Sequence, residues 1–157
     1  MVSDSGRTET ALAERVQRLE DLLAIHQLFV DYGQLLDAGD FDGYANLFAE
    51  DGELLLGPVG RAKGRAAIKE LMSKNGGRQG ASYHIISSPQ VALEGDRATA
   101  RVMWSVVARM PDGSASLTMV GHHEDALRRD PDGWRFERRK GFVDAPSVMP
   151  TRLPAEG

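Results

Sequence analysis

The sequence predicts an α+β domain, on three observations. Apolar residues recur at three- and four-residue spacing from about residue 10 to 37. After residue 80 the pattern changes to long alternating runs. Turn signals at EGDR (94–97), PDG (111–113) and DPDG (130–133) divide those runs into four strands. Helices first and an antiparallel meander afterwards place the chain in the α+β class. With 157 residues it is long enough for one domain with a real core.

The first helix is expected over 10–37, carried by Leu12, Val16, Leu19, Leu22, Leu23, Ile25, Leu28, Phe29, Tyr32 and Leu36. Asp40 is placed to cap a short second helix bearing Phe41, Tyr44, Leu47 and Phe48. A strand, GELLLG, is expected at 52–57, and a third helix at 64–73 with Ala67, Ile68, Leu71 and Met72 inward. The glycine-rich NGGRQG then opens the β half, with strands near 81–93, 97–110, 114–128 and 133–144. Pro89 falls inside the first of these, which suits a bulge or an edge. A strongly curved sheet wrapped around the helices would enclose a pocket. Residues 1–9 and 146–157 read as a disordered tail and an irregular tail, leaving 10–145 as the domain.

Composition narrows the function. The net charge of -4 argues against a nucleic-acid binder, which needs a basic face. The one basic stretch, RFERRK at 135–140, would be split by strand alternation between two faces and reads as mostly solvated. There are no cysteines, so disulfides, thiolate chemistry and thiolate metal sites are excluded. No apolar run approaches a membrane span, and the polar start MVSDSGRTET lacks the apolar core of a signal peptide. The expectation is a cytoplasmic protein with no membrane partner.

Three polar residues stand in apolar settings: Tyr32 and Asp37 late in the first helix, and His84 on the first long strand. Histidine exchanges protons near neutral pH, a carboxylate on its far nitrogen fixes the tautomer, and a phenol can donate to a developing oxyanion. Together they would abstract a proton beside a carbonyl, with His84 as base, Asp37 as its orienter and Tyr32 as donor. Each also has a plain structural role. Tyr32 shares the helical stripe of Ile25, Leu28, Phe29 and Leu36, Asp37 can end the helix, and His84 can be a satisfied core histidine. On an ideal helix Tyr32 and Asp37 lie about 140° apart, so they converge only if the helix ends or unwinds there.

Trp104, Val106, Met119, Phe136 and Phe142 alternate on strands and are candidates to line the cavity, or simply to fill the core. Of the adjacent pair His122 and His123 one faces in; His123 is the candidate, though spacing alone leaves the choice open. With His84 and Asp37 the inward histidine would complete a two-histidine, one-carboxylate metal site, but no tight ligand spacing supports it and no metal is expected. His26 falls at the rim or surface.

The motifs in order are YGQLLDAGD, FDGYANLF, EDGELLL, HIISSP, GHHED and DGWRFERR. Across residues 10–145 this order resembles the SnoaL-like branch of the nuclear-transport-factor-2-like superfamily. The resemblance implies a cone-shaped α+β barrel, with N-terminal helices on a strongly curved mixed or antiparallel sheet. It is most similar to the cofactor-free enzymes of that superfamily: bile-acid 7α-dehydratase, scytalone dehydratase and lindane dehydrochlorinase. Those imply an aspartate at Asp37, a strand histidine at His84 and, for the bile-acid enzyme, a tyrosine at Tyr32. An acidic residue of the bile-acid enzyme is replaced here by Val106 and Val107, and an arginine near the last strand's end by Asp144. The reaction class therefore carries over better than the substrate. The expected function is a lyase or isomerase (dehydratase, polyketide cyclase or ketosteroid-isomerase type) on a small hydrophobic ring-containing substrate, without a cofactor and as a homodimer or trimer. The alternatives are a noncatalytic binding or dimerisation module, and an accessory β-subunit of a ring-hydroxylating oxygenase.

Overall fold

The computed structural model describes residues 4–76 and 80–145. Helix α1 (Asp4–Ala38) begins six residues before the apolar periodicity predicts, so the tail expected over 1–9 is helical from Asp4. The tail expected over 146–157 and the centre of the NGGRQG turn lie outside the described residues. α1 ends on Gly39 at φ 70°, a left-handed position suited to glycine, where the Gly39 and Asp40 amides donate to Leu36 and Leu35 carbonyls. Asp40 then caps α2 (Phe41–Asn46) by accepting from the Gly43 amide at 2.8 Å, as expected.

Strand β1 (Phe48–Leu55) starts four residues before the predicted 52–57. The cause is Phe48, which is fully buried and takes register against Phe136. A short 3₁₀ turn (Gly57–Val59) and strand β2 (Arg61–Lys63) follow, both too short to show periodicity. Helix α3 (Arg65–Asn75) and strands β3 (Ser82–Glu94), β4 (Arg97–Arg109), β5 (Ala115–Asp130) and β6 (Gly133–Ala145) lie within two residues of their predicted bounds.

The described strands form one six-stranded sheet in the order β2-β1-β6-β5-β4-β3. It is mixed: β1 runs parallel to β6 and every other pair is antiparallel. It is also open, with β2 and β3 as its edges, so the expected barrel is corrected to a helix-covered sheet that does not close on itself. The core lies between the helices and the sheet's inner face, with Ile25, Phe29, Tyr44, Phe48, Ile68, Val102, Leu127 and Phe136 all buried. Where α1 first meets this core, Asp21 accepts from the Trp134 indole at 3.1 Å and pairs with Arg129. No helix among the described residues is long and apolar enough to cross a membrane.

Bulges bend the sheet. In β3 the register shifts between Ser87 and Gln90, with Ser88 at φ 51° immediately before Pro89. In β6 Leu127 faces Phe136 but Ala126 faces Arg138, which leaves Glu137 as an extra residue. That one residue reverses the alternation. Trp134 and Phe136 point inward before it, and Arg139 rather than Arg138 points inward after it. Two expectations are corrected by it. Arg139 of the supposedly solvated RFERRK run is fully buried. Phe142, of the same parity as Phe136, lies on the outer face, stacked on His122 at 4.8 Å.

Candidate active site

The C-terminal end of α1 lies against β3 at Gly33. A Cβ there would sit 3.1 Å from the His84 carbonyl oxygen and 3.2 Å from Ile86, so a side chain would push helix and strand apart. This approach lets Asp37 reach across to β3. Its Oδ1 lies 2.6 Å from His84 Nδ1, and the His84 backbone amide donates to Oδ2 at 2.9 Å and Oδ1 at 3.1 Å. One carboxylate therefore holds both the ring and the backbone of one histidine. In the neutral tautomer whose Nδ1–H donates to Asp37, Nε2 carries the lone pair that a ligand can meet.

α1 neither ends nor unwinds before Ala38, so Tyr32 and Asp37 stay on different helix faces. The cavity joins them indirectly. Tyr32 and His84 both line it, and Asp37 stands behind His84. The cavity has a volume of about 310 Å³, within the size range of small-molecule sites. The candidates Trp104, Val106, Met119 and His123 also line it, His123 being the inward member of the histidine pair, and Gly141 and Val143 reach it from β6 beyond the Glu137 bulge. Phe136 does not line it. Its fully buried ring packs between Phe29, Phe48 and Tyr32, so Phe136 and the outward Phe142 are both removed from the candidate lining. His26 is exposed, and His122 is on the outer face with Nδ1 2.8 Å from Asp144. Among the described residues no three His, Asp or Glu side chains converge as a metal-ligand set.

Sequence reasoning missed what lies beneath Tyr32. Arg139 on β6 makes a bidentate pair with its cross-strand neighbour Asp125, at 2.7 and 2.8 Å, and both side chains are fully buried. The guanidinium lies 4.1 Å from the centres of both the Tyr32 and Phe136 rings. Tyr44, also missed, places its ring 4.8 Å from that of Tyr32. The signal for Arg139 was the bulge that turns it inward, and Glu-Arg-Arg gives no local sign of where that bulge falls. Burial pushes the Tyr32 phenol above its usual range, so it stays protonated as a donor. Among the described residues, the buried Trp104 Nε1, His123 Nδ1 and Arg139 Nη1 have no hydrogen-bond partner.

Burial, and then the Arg139 charge, hold His123 well below the usual 6.5, so it is neutral in the folded protein. An unfolded chain takes up this proton near 6.5, while the folded chain resists it to lower pH. Below 6.5 the unfolded state therefore binds more protons, and stability falls as pH falls. The urea midpoint of the wild type should drop between pH 7.5 and 5.5, and His123→Gln should flatten that drop. Equal slopes for the two proteins would remove His123 as its cause.

The comparisons agree with this architecture. A family model described as a SnoaL-like domain matches residues 17–140. An uncharacterised protein of Mycobacterium tuberculosis is 31% identical over 126 residues, covering 79% of this chain and 86% of that one. A nuclear-transport-factor-2-like protein with a cystatin-like fold from Novosphingobium aromaticivorans superposes with a TM-score of 0.78 at 33% identity, over 94% of each chain. A candidate scytalone dehydratase from the same organism superposes at 0.68 and 22% identity, over 87% of this chain and 97% of that one, which is a likeness of fold.

Proposed function

The chain belongs to the SnoaL-like family, and on that premise we propose that it is a cofactor-independent lyase or isomerase acting beside a carbonyl of a small, hydrophobic, ring-containing substrate. The observation that carries this is the 2.6 Å contact of Asp37 with His84 at the wall of a cavity that Tyr32 also lines. A lone buried histidine would say little. A histidine whose Nδ1 is held by a carboxylate, with its other nitrogen free, is arranged as a base.

The steps follow from those positions. The substrate carbonyl oxygen accepts a hydrogen bond from the Tyr32 hydroxyl. His84 Nε2 takes the proton from the adjacent carbon, and the C–H electron pair forms the C=C bond of an enolate. Its oxygen is stabilised by the Tyr32 donor, with the buried Arg139 charge behind the ring. Asp37 stabilises the imidazolium that forms. In the lyase branch the enolate expels a β-hydroxyl, which takes the proton back from His84 and leaves as water. In the isomerase branch the same proton returns to a different carbon. The apolar lining from Leu36, Leu56, Trp104, Val106 and Met119 selects a hydrophobic ring over a charged substrate.

The test is proton exchange. In deuterated water the full chain should incorporate deuterium beside the carbonyl of at least one member of a panel of cyclic ketones and β-hydroxy ketones, or release water from it. Tryptophan fluorescence, with Trp104 in the cavity wall and Trp134 in the core, reports binding independently. A ligand that quenches this fluorescence while no panel member exchanges or dehydrates would support the noncatalytic binding module instead.

A further inference from the structure

Helix α1 carries two apolar stripes, and the body of the protein uses only one. Asp21, Ile25, Leu28, Phe29, Tyr32 and Leu36 face the core. Leu12, Val16, Leu19, Leu23 and Val30 lie about 150° around the helix from them. These five are 58, 45, 61, 69 and 46% exposed, in positions where isolated surface apolar residues would not form a line. From residue 8 to 20 every position is exposed. A helical arm of that length is marginal in water without a packing partner.

The spacing identifies the partner. From Leu12 the stripe runs +4, +3, +4, +3, +4 to Val30, with His26 at the fifth place. That is a 3.5-residue repeat, which holds a seam facing a second helix. We propose that α1 pairs in parallel with α1 of a second copy of this chain through the Leu12–Val30 seam. The charges select the parallel direction. Arg15 and Glu20 flank the seam, and neither is in an ion pair among the described residues. In a parallel pair each Arg15 meets the other copy's Glu20. In the antiparallel alignment that matches the same apolar layers, Glu20 meets Glu20. Because core and seam stripes lie on nearly opposite sides, the two bodies sit on the outer flanks of the pair and their cavities stay open. The assembly is independent of the proposed chemistry.

The chain has no cysteine, so a single introduced one gives a clean report. In a parallel two-stranded pair Leu19 faces Leu19, and Leu19→Cys should oxidise to a covalent dimer. The antiparallel alignment would instead cross-link only a mixture of Leu19→Cys and Leu23→Cys chains. By sedimentation the full chain should be a dimer. Leu19→Glu with Leu23→Glu should raise its dissociation constant on the order of a hundredfold, since both charges would enter an apolar seam. These residues touch nothing in the monomer's core, so circular dichroism should show the fold retained. A monomeric wild type would overturn the proposal. So would cross-linking only of the mixed cysteines. So would a dimer that survives the glutamates but dissociates on Tyr83→Glu with Leu117→Glu, which would move the interface to the outer sheet face.

Discussion

Asparagine at position 37 should lower the exchange or elimination rate by about three to four orders of magnitude, on the scale seen when a base loses its correct tautomer. The geometry gives the reason. The His84 backbone amide donates to the carboxylate at 2.9 and 3.1 Å, so an asparagine must keep its oxygen toward that amide. Its NH₂ then faces His84 Nδ1. The ring must accept there and carry its proton on Nε2, where the mechanism needs a lone pair. Asp37→Asn would thus leave the fold and the histidine in place while disabling the base. His84→Ala removes the base outright and should cost about two to four orders of magnitude. The measurement is the deuterium exchange rate at saturating ketone, with urea midpoints as a control for folding. Exchange by Asp37→Asn at the wild-type rate would sink the acid–base assignment.

The second large effect is on stability. Arg139→Met leaves the fully buried Asp125 carboxylate without its two charge-assisted hydrogen bonds, and breaking such a pair from one side costs about 3–5 kcal/mol. The melting temperature of a domain this size should fall by roughly 10 °C. The double variant Arg139→Met with Asp125→Leu removes both charges, and should recover much of that loss, because apolar replacement of a whole buried pair is often neutral. Thermal unfolding of the two single variants and the double variant closes the cycle. An Arg139→Met protein as stable as the wild type would mean that the pair contributes nothing. The double variant should still exchange more slowly than the wild type, since Tyr32 would have lost the cation behind its ring.

The sequence was most legible in where its long elements begin and end. The four long strands and α3 fell near their predicted bounds, and so did the end of α1, because each is a sustained repeat closed by a turn or a glycine. The close approach at Gly33 that puts Asp37 against His84 has no sign in the local pattern, and α1 does not unwind to bring Tyr32 and Asp37 together. Two other kinds of feature were hidden. Short elements such as β2 have too few residues to show a period. Bulges leave composition untouched while reversing which residues face in, and so the sequence misplaced Phe142 and overlooked Arg139.

The Glu137 bulge has a further consequence for how this protein can change over generations. Before it, β6 contributes Trp134 and Phe136 to the core; after it, Gly141 and Val143 reach the cavity. The kink acts as a joint between a segment that serves the core and one whose end, past Arg139, serves the cavity. Substitutions at Val143 can remodel the mouth of the site while the buried rings before the bulge keep their register, whereas Arg139, also past it, is tied to the fold by its pair with Asp125. New ligand preferences can then arise at Val143, near the end of a single strand, without disturbing the buried rings.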